Sequence, residues 1–120
     1  MDLYQQNILD HYKHPEHRGE LAEAEFKSTA ANPSCGDSVI FFVAAKAGMI
    51  TKAQWVGEGC VLSQASADLL ADHIQGKSLI EIKQLKKEDL FKLVGVELGP
   101  NRSRCALLSL EALQTALNSN

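Results

Sequence analysis

The hydrophobic pattern of this chain changes its period near residue 61, and that change limits the folds it can adopt. Before this point, short runs of β-branched and aromatic residues are separated by glycines, which is typical of strands. The runs are Phe26–Thr29, Ser38–Val43 and Ile50–Val56, and Ala47-Gly48 predicts a hairpin between the last two. After it, apolar residues recur every three or four positions, which indicates helices. Strands followed by helices predict an α+β fold, a sheet packed against several helices.

Four helices can be predicted before residue 100. Residues 2–13 have an apolar face and precede Pro15, which limits any continuation. A longer helix covers residues 61–76, ending at a glycine that suits a helix terminus. Ser78 is expected to cap a short helix, and Leu90–Val94 predict one or two further turns.

Size and charge narrow the class of protein. A chain of 120 residues, 45% hydrophobic and 22% charged, is expected to form one globular domain over 1–120. The net charge of −3 offers no basic field for a phosphate backbone, so no nucleic acid is expected. The longest apolar run, Val39–Ala45, is too short for a membrane helix, and the first residues lack the pattern of a secretory signal. A cytoplasmic location without membrane contact is therefore predicted.

The three cysteines stand at the borders of predicted elements. An odd number in a reducing compartment argues against a disulfide framework. Cys35 and Asp37 lie at the start of a strand and share a face if the segment is extended. Cys60 and Cys105, the latter just after Ser103 as the expected cap of the last helix, would occupy first helical turns. Unpaired amides and the positive end of the helix dipole there favour thiolate over thiol, so both are predisposed to bind metal.

The alternative is that the cysteines are small buried hydrophobic residues, as free cysteine often is. The glycine, proline, aspartate and serine residues that frame them argue against it, because buried cysteines usually stand within periodic apolar stretches. No Cys-x-x-Cys pair is present, so zinc ribbons and fingers are not indicated. The residues alone therefore favour metal binding and leave burial open.

Four segments resemble one known family. Asn32–Asp37 (NPSCGD), Gly57–Ala67 (GEGCVLSQASA) and Arg102–Leu108 (RSRCALL) are similar to the three ligand motifs of the iron–sulfur scaffold family known as IscU, SufU and the amino-terminal domain of NifU. Asp10–Pro15 (DHYKHP) followed by Gly19 resembles the amino-terminal pattern of that family. The resemblance covers nearly the whole chain in the family's order.

This resemblance implies a three-stranded antiparallel sheet packed on helices, with a 2Fe–2S cluster or its iron held by Cys35, Asp37, Cys60 and Cys105. Zinc could occupy the same site. The implied partners are a cysteine desulfurase, an iron donor, and recipient apo iron–sulfur proteins or a carrier. The implied role is an assembly scaffold rather than an enzyme. Three thiolates hold iron strongly, while the harder carboxylate is easier to displace.

Two other functions remain open. In a zinc-dependent sulfurtransferase of the SufU type, Cys105 would accept sulfur from the desulfurase while zinc holds the other ligands. In a structural zinc module, all four ligands would be closed and inert. Arg104 is the candidate that stabilises the Cys105 thiolate, because a neighbouring cation favours the charged form.

The sequence departs from both branches of the family near Cys105. The IscU branch has a histidine before this cysteine, preceded by a Leu-Pro-Pro-Val-Lys segment that a chaperone recognises. Here Arg104 stands in the histidine's place and Leu98–Arg102 reads LGPNR, which argues against delivery through that chaperone. The arginines resemble the SufU branch, yet the interval from Cys60 to Cys105 lacks room for the extra SufU segment. The branch is left open.

Several further residues are predicted to lie outside the metal site. His11, His14 and His17 recur every third residue, but Pro15 prevents one helix from holding all three, so a solvated, partner-facing segment is expected. Trp55 is predicted to lie in the core. His73, on the long helix, is predicted to lie at the boundary between the core and solvent. A solvated face is predicted for Lys83, Lys86 and Lys87.

Overall fold

A computed structural model describes residues 3–33, 36–95 and 98–118, with Asn101 described by its backbone alone. Within these residues the predicted α+β order is confirmed, with three strands and five helices. The first helix precedes the sheet and the other four follow it. The elements are α1 (Leu3–Lys13), β1 (Phe26–Asn32), β2 (Asp37–Lys46), β3 (Met49–Glu58), α2 (Val61–Ile74), α3 (Leu79–Lys83), α4 (Lys87–Val94) and α5 (Pro100–Asn118).

The sheet is antiparallel in the order β1-β2-β3. Lys46 pairs with Met49, so the predicted hairpin has a two-residue loop, and positive φ angles of 53° at Ala47 and 78° at Gly48 suit the twist of such a hairpin. At the opposite end of the sheet, Asn32 pairs with Asp37. The end of β1, the start of β2 and the end of β3 therefore meet at one edge.

Both faces of the central strand are covered. Its odd-numbered residues, such as Phe41, join Trp55 and the helices α2 and α5 in the main core, and the prediction that Trp55 is buried is confirmed. Its even-numbered residues pack with Leu21 and Ala24 from the connection between α1 and β1. A strand buried on both faces explains the unbroken apolar run Val39–Ala45.

The predicted start of the last helix is wrong. Pro100 is its first residue, and the Ser103 amide donates to the Gly99 carbonyl at 2.9 Å as an interior helical residue does. Proline is favoured at the first helical position because its missing N–H would have no partner there. Cys105 consequently lies in the second turn of α5.

The other caps agree with the prediction. Ser78 caps α3 and accepts from the Glu81 amide at 3.1 Å, while Gly76 follows the end of α2 with a φ of 78°. His73 is half-buried and the three lysines of the predicted solvated face are exposed. Among the described residues, no helix has both the length and the apolar character that crossing a membrane requires.

Candidate metal centre

The sheet edge and the starts of α2 and α5 bring three predicted ligands together. One side-chain ligand atom from each of Asp37, Cys60 and Cys105 lies within 4.8 Å of the other two. Asp37 shares the helix-facing side of β2 with Val39, because alternate strand residues point the same way. Cys35 lies outside the described residues, so its role as a ligand stays a prediction.

Asp37 is buried, with 3% of its surface exposed, although it carries a carboxylate. Its Oδ1 accepts a hydrogen bond from the Cys60 amide at 3.1 Å, and the Cys60 Sγ lies 3.7 Å from Oδ2. These bonds offset part of the cost of burying the charge. The carboxylate is thereby fixed against the thiol group of Cys60.

Two glycines before Cys60 make this approach possible. Gly59 has a φ of 142°, and a Cβ built there would lie 2.2 Å from Asp37 Oδ1. A Cβ at Gly57 would lie 2.3 Å from the Ser38 carbonyl oxygen. Neither role was predicted from the sequence. The Gly-Glu-Gly run ahead of a cysteine is the signal that indicates such close backbone packing.

Cys60 is the N-cap of α2, one position before the predicted first turn. Its sulfur accepts from the Ser63 amide at 3.4 Å, and the Ser63 hydroxyl donates to the Cys60 carbonyl at 3.1 Å. The side chain is exposed. A sulfur held by a helix N-terminus and open to solvent is accessible to an incoming metal or sulfur donor.

Cys105 departs from the expectation of a low-pKa thiolate. Burial, followed by hydrogen bonds to Asp37 and Cys60 and the charges of both, raises the pKa of Cys105 from 9.0 to about 12. Arg104 is exposed and is not among these causes. Cys105 is therefore a thiol at neutral pH, and a metal that binds its sulfur must displace a proton.

We predict that Asp37→Asn shifts the alkylation of metal-free Cys105 to lower pH, because the substitution removes a carboxylate that favours the thiol. The rate should be measured against pH by mass spectrometry of the Cys105 peptide. Glu111→Gln is the matched control, because Glu111 lies on the exposed side of α5, the helix that contains Cys105. It should leave the dependence of the alkylation rate on pH unchanged. An unchanged profile in Asp37→Asn would show that Asp37 does not set this pKa.

The raised pKa of Cys105 also predicts how the stability of the protein depends on pH. Since the folded state holds this proton more tightly than the unfolded chain, the free energy of unfolding should fall as pH rises from 9 towards 12.

The expected solvated histidine segment is wrong for two of its three residues. His11 Nδ1 lies 2.6 Å from Asp68 Oδ2, and His17 Nε2 lies 3.0 Å from Asp72 Oδ1. Both side chains are 20% exposed. Only His14 is exposed as predicted. The acidic residues of α2 were the missed signal, because they lie four apart and can face a neighbouring segment.

Comparison with known proteins agrees with this fold. The family model described as NifU-like N terminal domain matches residues 3–119, and the chain belongs to that family. It is 32% identical to the zinc-dependent sulfurtransferase SufU of Bacillus subtilis, over 93% of this chain and 87% of that protein. It is 33% identical to the iron–sulfur cluster assembly scaffold protein IscU of Thermotoga maritima, over 96% and 92% respectively.

A solved structure extends the likeness to the fold. The chain superposes with a TM-score of 0.79 and 25% identity on a protein of Fervidobacterium islandicum proposed as an iron–sulfur cluster assembly scaffold for the SUF system. The match covers 94% of this chain and 95% of that one. The predicted resemblance to the IscU, SufU and NifU family is thus confirmed.

Proposed function

We propose that this protein is a scaffold on which 2Fe–2S clusters are assembled and from which they are transferred to recipient proteins. The observation that carries the proposal is the convergence of Asp37, Cys60 and Cys105 within 4.8 Å at one edge of the sheet. Cys35, two residues before Asp37, is the proposed fourth ligand. Thiolates suit iron and iron–sulfur clusters, and a single carboxylate gives the set one ligand of weaker affinity.

The proposed ligands suit both of the metals that the names of the relatives indicate. Thiolate and carboxylate ligands bind zinc as well as iron, which agrees with similarity both to a zinc-dependent sulfurtransferase and to an iron–sulfur scaffold. The scaffold is the first choice because a carboxylate beside two thiols offers both retention and release. The cluster is then cargo, and the protein is not itself an enzyme.

Sulfur reaches the site by exchange with the persulfide of a cysteine desulfurase. A thiolate of Cys105 attacks the outer sulfur of that persulfide, the sulfur–sulfur bond breaks, and the desulfurase cysteine leaves as a thiolate. The proton that Cys105 must lose first has the Asp37 carboxylate as a hydrogen-bond acceptor. An external electron donor must then reduce the transferred sulfur to sulfide before it joins iron.

Arg104 is proposed to assist this transfer when the desulfurase docks. Arg104 directly precedes Cys105, and its side chain is exposed. Its positive charge can lie beside the persulfide of a docked desulfurase without Arg104 being a metal ligand. We predict that Arg104→Ala slows sulfur transfer while leaving metal affinity within about twofold, because the charge favours the reacting thiolate. The measurement is desulfurase-driven labelling of Cys105 alongside a metal titration, with Arg102→Ala as the control. Unchanged transfer would reject the role.

The second candidate function is the zinc-dependent sulfurtransferase, which the relative in Bacillus subtilis favours. In that function the same residues hold zinc, and Cys105 carries sulfur between the desulfurase and an acceptor. The partners in both cases are a cysteine desulfurase and a recipient. The LGPNR stretch at Leu98–Arg102 argues against the dedicated chaperone in either case.

The deciding experiment is anaerobic incubation with ferrous iron, cysteine and a desulfurase. A scaffold develops sulfide-to-iron charge-transfer absorption that depends on the desulfurase. A colourless protein that retains zinc and still stimulates the desulfurase would favour the sulfurtransferase.

A further inference from the structure

A second group of metal-ligating side chains lies away from the cysteines. One ligand atom from each of Glu16, His17 and Asp72 lies within 4.8 Å of the other two. Glu16 and His17 belong to the connection that follows α1, and Asp72 lies in the last turn of α2. Asp72 is twelve residues beyond Cys60, which is about 18 Å along the helix. The group is therefore separate from the cysteine site.

The backbone of His17 is fixed on both sides, which places its ring. Its amide donates to Asp68 Oδ1 at 2.9 Å, and its carbonyl accepts from the Trp55 amide at 3.0 Å. Asp68 is fully buried, so this anchor belongs to the core. The imidazole needs no rearrangement of the chain to meet Asp72, which its Nε2 contacts at 3.0 Å.

The charges of the group are not balanced by an arginine or lysine in the described part of the chain. Glu16 is exposed and forms no hydrogen bond or ion pair there. The adjacent Arg18 is directed elsewhere: it donates to Gln64 and to the Gly57 carbonyl, and its guanidinium lies 5.3 Å from the Trp55 ring centroid. Two carboxylates close together repel one another unless a cation lies between them.

We propose that Glu16, His17 and Asp72 bind a divalent transition-metal ion of the zinc type. One imidazole nitrogen and two carboxylate oxygens are a donor set that zinc accepts, with water completing the coordination. The ion joins the segment after α1 to α2 and so holds the amino-terminal helix in place. Its binding stabilises that contact by an amount that grows with the logarithm of the free ion concentration once this exceeds the dissociation constant. This site is independent of the proposed scaffold function.

The test uses the full chain with one equivalent of Zn²⁺ already bound at the cysteines, checked by protection of their thiols from alkylation. Co²⁺ is then added, and two signals are followed: calorimetric heat and quenching of Trp55, the single tryptophan. Trp55 is a suitable reporter because its backbone bonds to His17 and its indole N–H donates to Asp68 at 3.0 Å. One further equivalent of Co²⁺ should bind and quench saturably.

The variants separate this site from its alternatives. His17→Gln and Glu16→Gln should weaken the second binding event by roughly 10–100-fold, at least as much as loss of a supporting residue around a metal ion does. Glu16→Gln keeps the result interpretable if His17→Gln misfolds, because the Glu16 side chain is exposed. His14→Gln, an exposed histidine of the same segment, is the control and should bind normally.

Two results would overturn the site. Equal Co²⁺ affinity in Glu16→Gln and the unaltered chain would exclude the carboxylate as a ligand. Absence of a second binding event, with no quenching of Trp55 by Co²⁺, would show that the three side chains hold no ion.

Discussion

We expect Cys60→Ser and Cys105→Ser each to abolish stable cluster assembly while the fold remains intact. Cys60 is exposed and Cys105 is half-buried, so neither supplies the main core. A serine hydroxyl does not replace a thiolate as an iron ligand, because it is a harder donor that stays protonated at neutral pH. Desulfurase-driven reconstitution should fall to background in both variants, and circular dichroism should be unchanged. Cys35→Ser is expected to behave in the same way.

The control for this prediction is Ser103→Ala, two residues before Cys105 on the same helix. Its hydroxyl donates a hydrogen bond to the Leu98 carbonyl at 3.4 Å and to no other group among the described residues. It should assemble clusters normally. If a cysteine variant unfolds the metal-free protein, that cysteine is a packing residue and its assignment as a ligand is wrong.

Asp68→Ala should destabilise the protein by about 3–5 kcal/mol, the largest stability effect we expect from one substitution. Asp68 is fully buried and accepts from the Trp55 indole at 3.0 Å and the His17 amide at 2.9 Å, with His11 Nδ1 at 2.6 Å. Its removal leaves these groups without their acceptor. The helix α1 should loosen first, since it has no buried residue of its own.

Urea unfolding followed by Trp55 fluorescence measures this effect, with chelator present to exclude bound metal. Asp72→Ala is the matched control on the same helix, because the Asp72 side chain is 59% exposed and its contact with His17 contributes at most about 1 kcal/mol. A loss below about 1 kcal/mol in Asp68→Ala would mean that water or a rearranged side chain satisfies the three groups.

The elements of the fold could be predicted because the local signals agree with the tertiary structure. Periodicity identified the strands and helices, and Gly48 and Ser78 have the residue types that their turn and cap favour. The start of α5 failed because two signals competed: Ser103 suits an N-cap, but Pro100 suits a first helical residue. The helix began at the earlier of the two.

The residues of the candidate site could be predicted from the sequence, but the raised pKa of Cys105 could not. The sequence motifs identified Asp37, Cys60 and Cys105, which the fold brings together. The raised pKa of Cys105 depends on burial and on a carboxylate that is 68 positions away along the chain, and no local pattern reports such a contact. The His11 and His17 contacts with α2 are equally long-range. The local pattern therefore predicts solvated histidines.

We propose that Asp37 is the ligand through which the cluster leaves. The Cys60 amide already donates to its carboxylate at 3.1 Å, so Asp37 has a partner to return to when it releases metal. This alternative partner lowers the cost of detaching the carboxylate. An alanine cannot act in this exchange, so the proposed cysteine ligands should release the cluster more slowly.

The most direct measurement is the rate of cluster transfer to an apo-ferredoxin under anaerobic conditions, compared between the unaltered protein, Asp37→Ala and the control Glu58→Ala. Glu58 is an exposed carboxylate at the end of β3 and should not change the rate. We predict that Asp37→Ala retains its cluster longer and transfers it about tenfold more slowly, a barrier increase of about 1.4 kcal/mol. If Asp37→Ala instead loses its cluster faster than the unaltered protein and delivers none, Asp37 is a retaining ligand and the proposed release through it is contradicted.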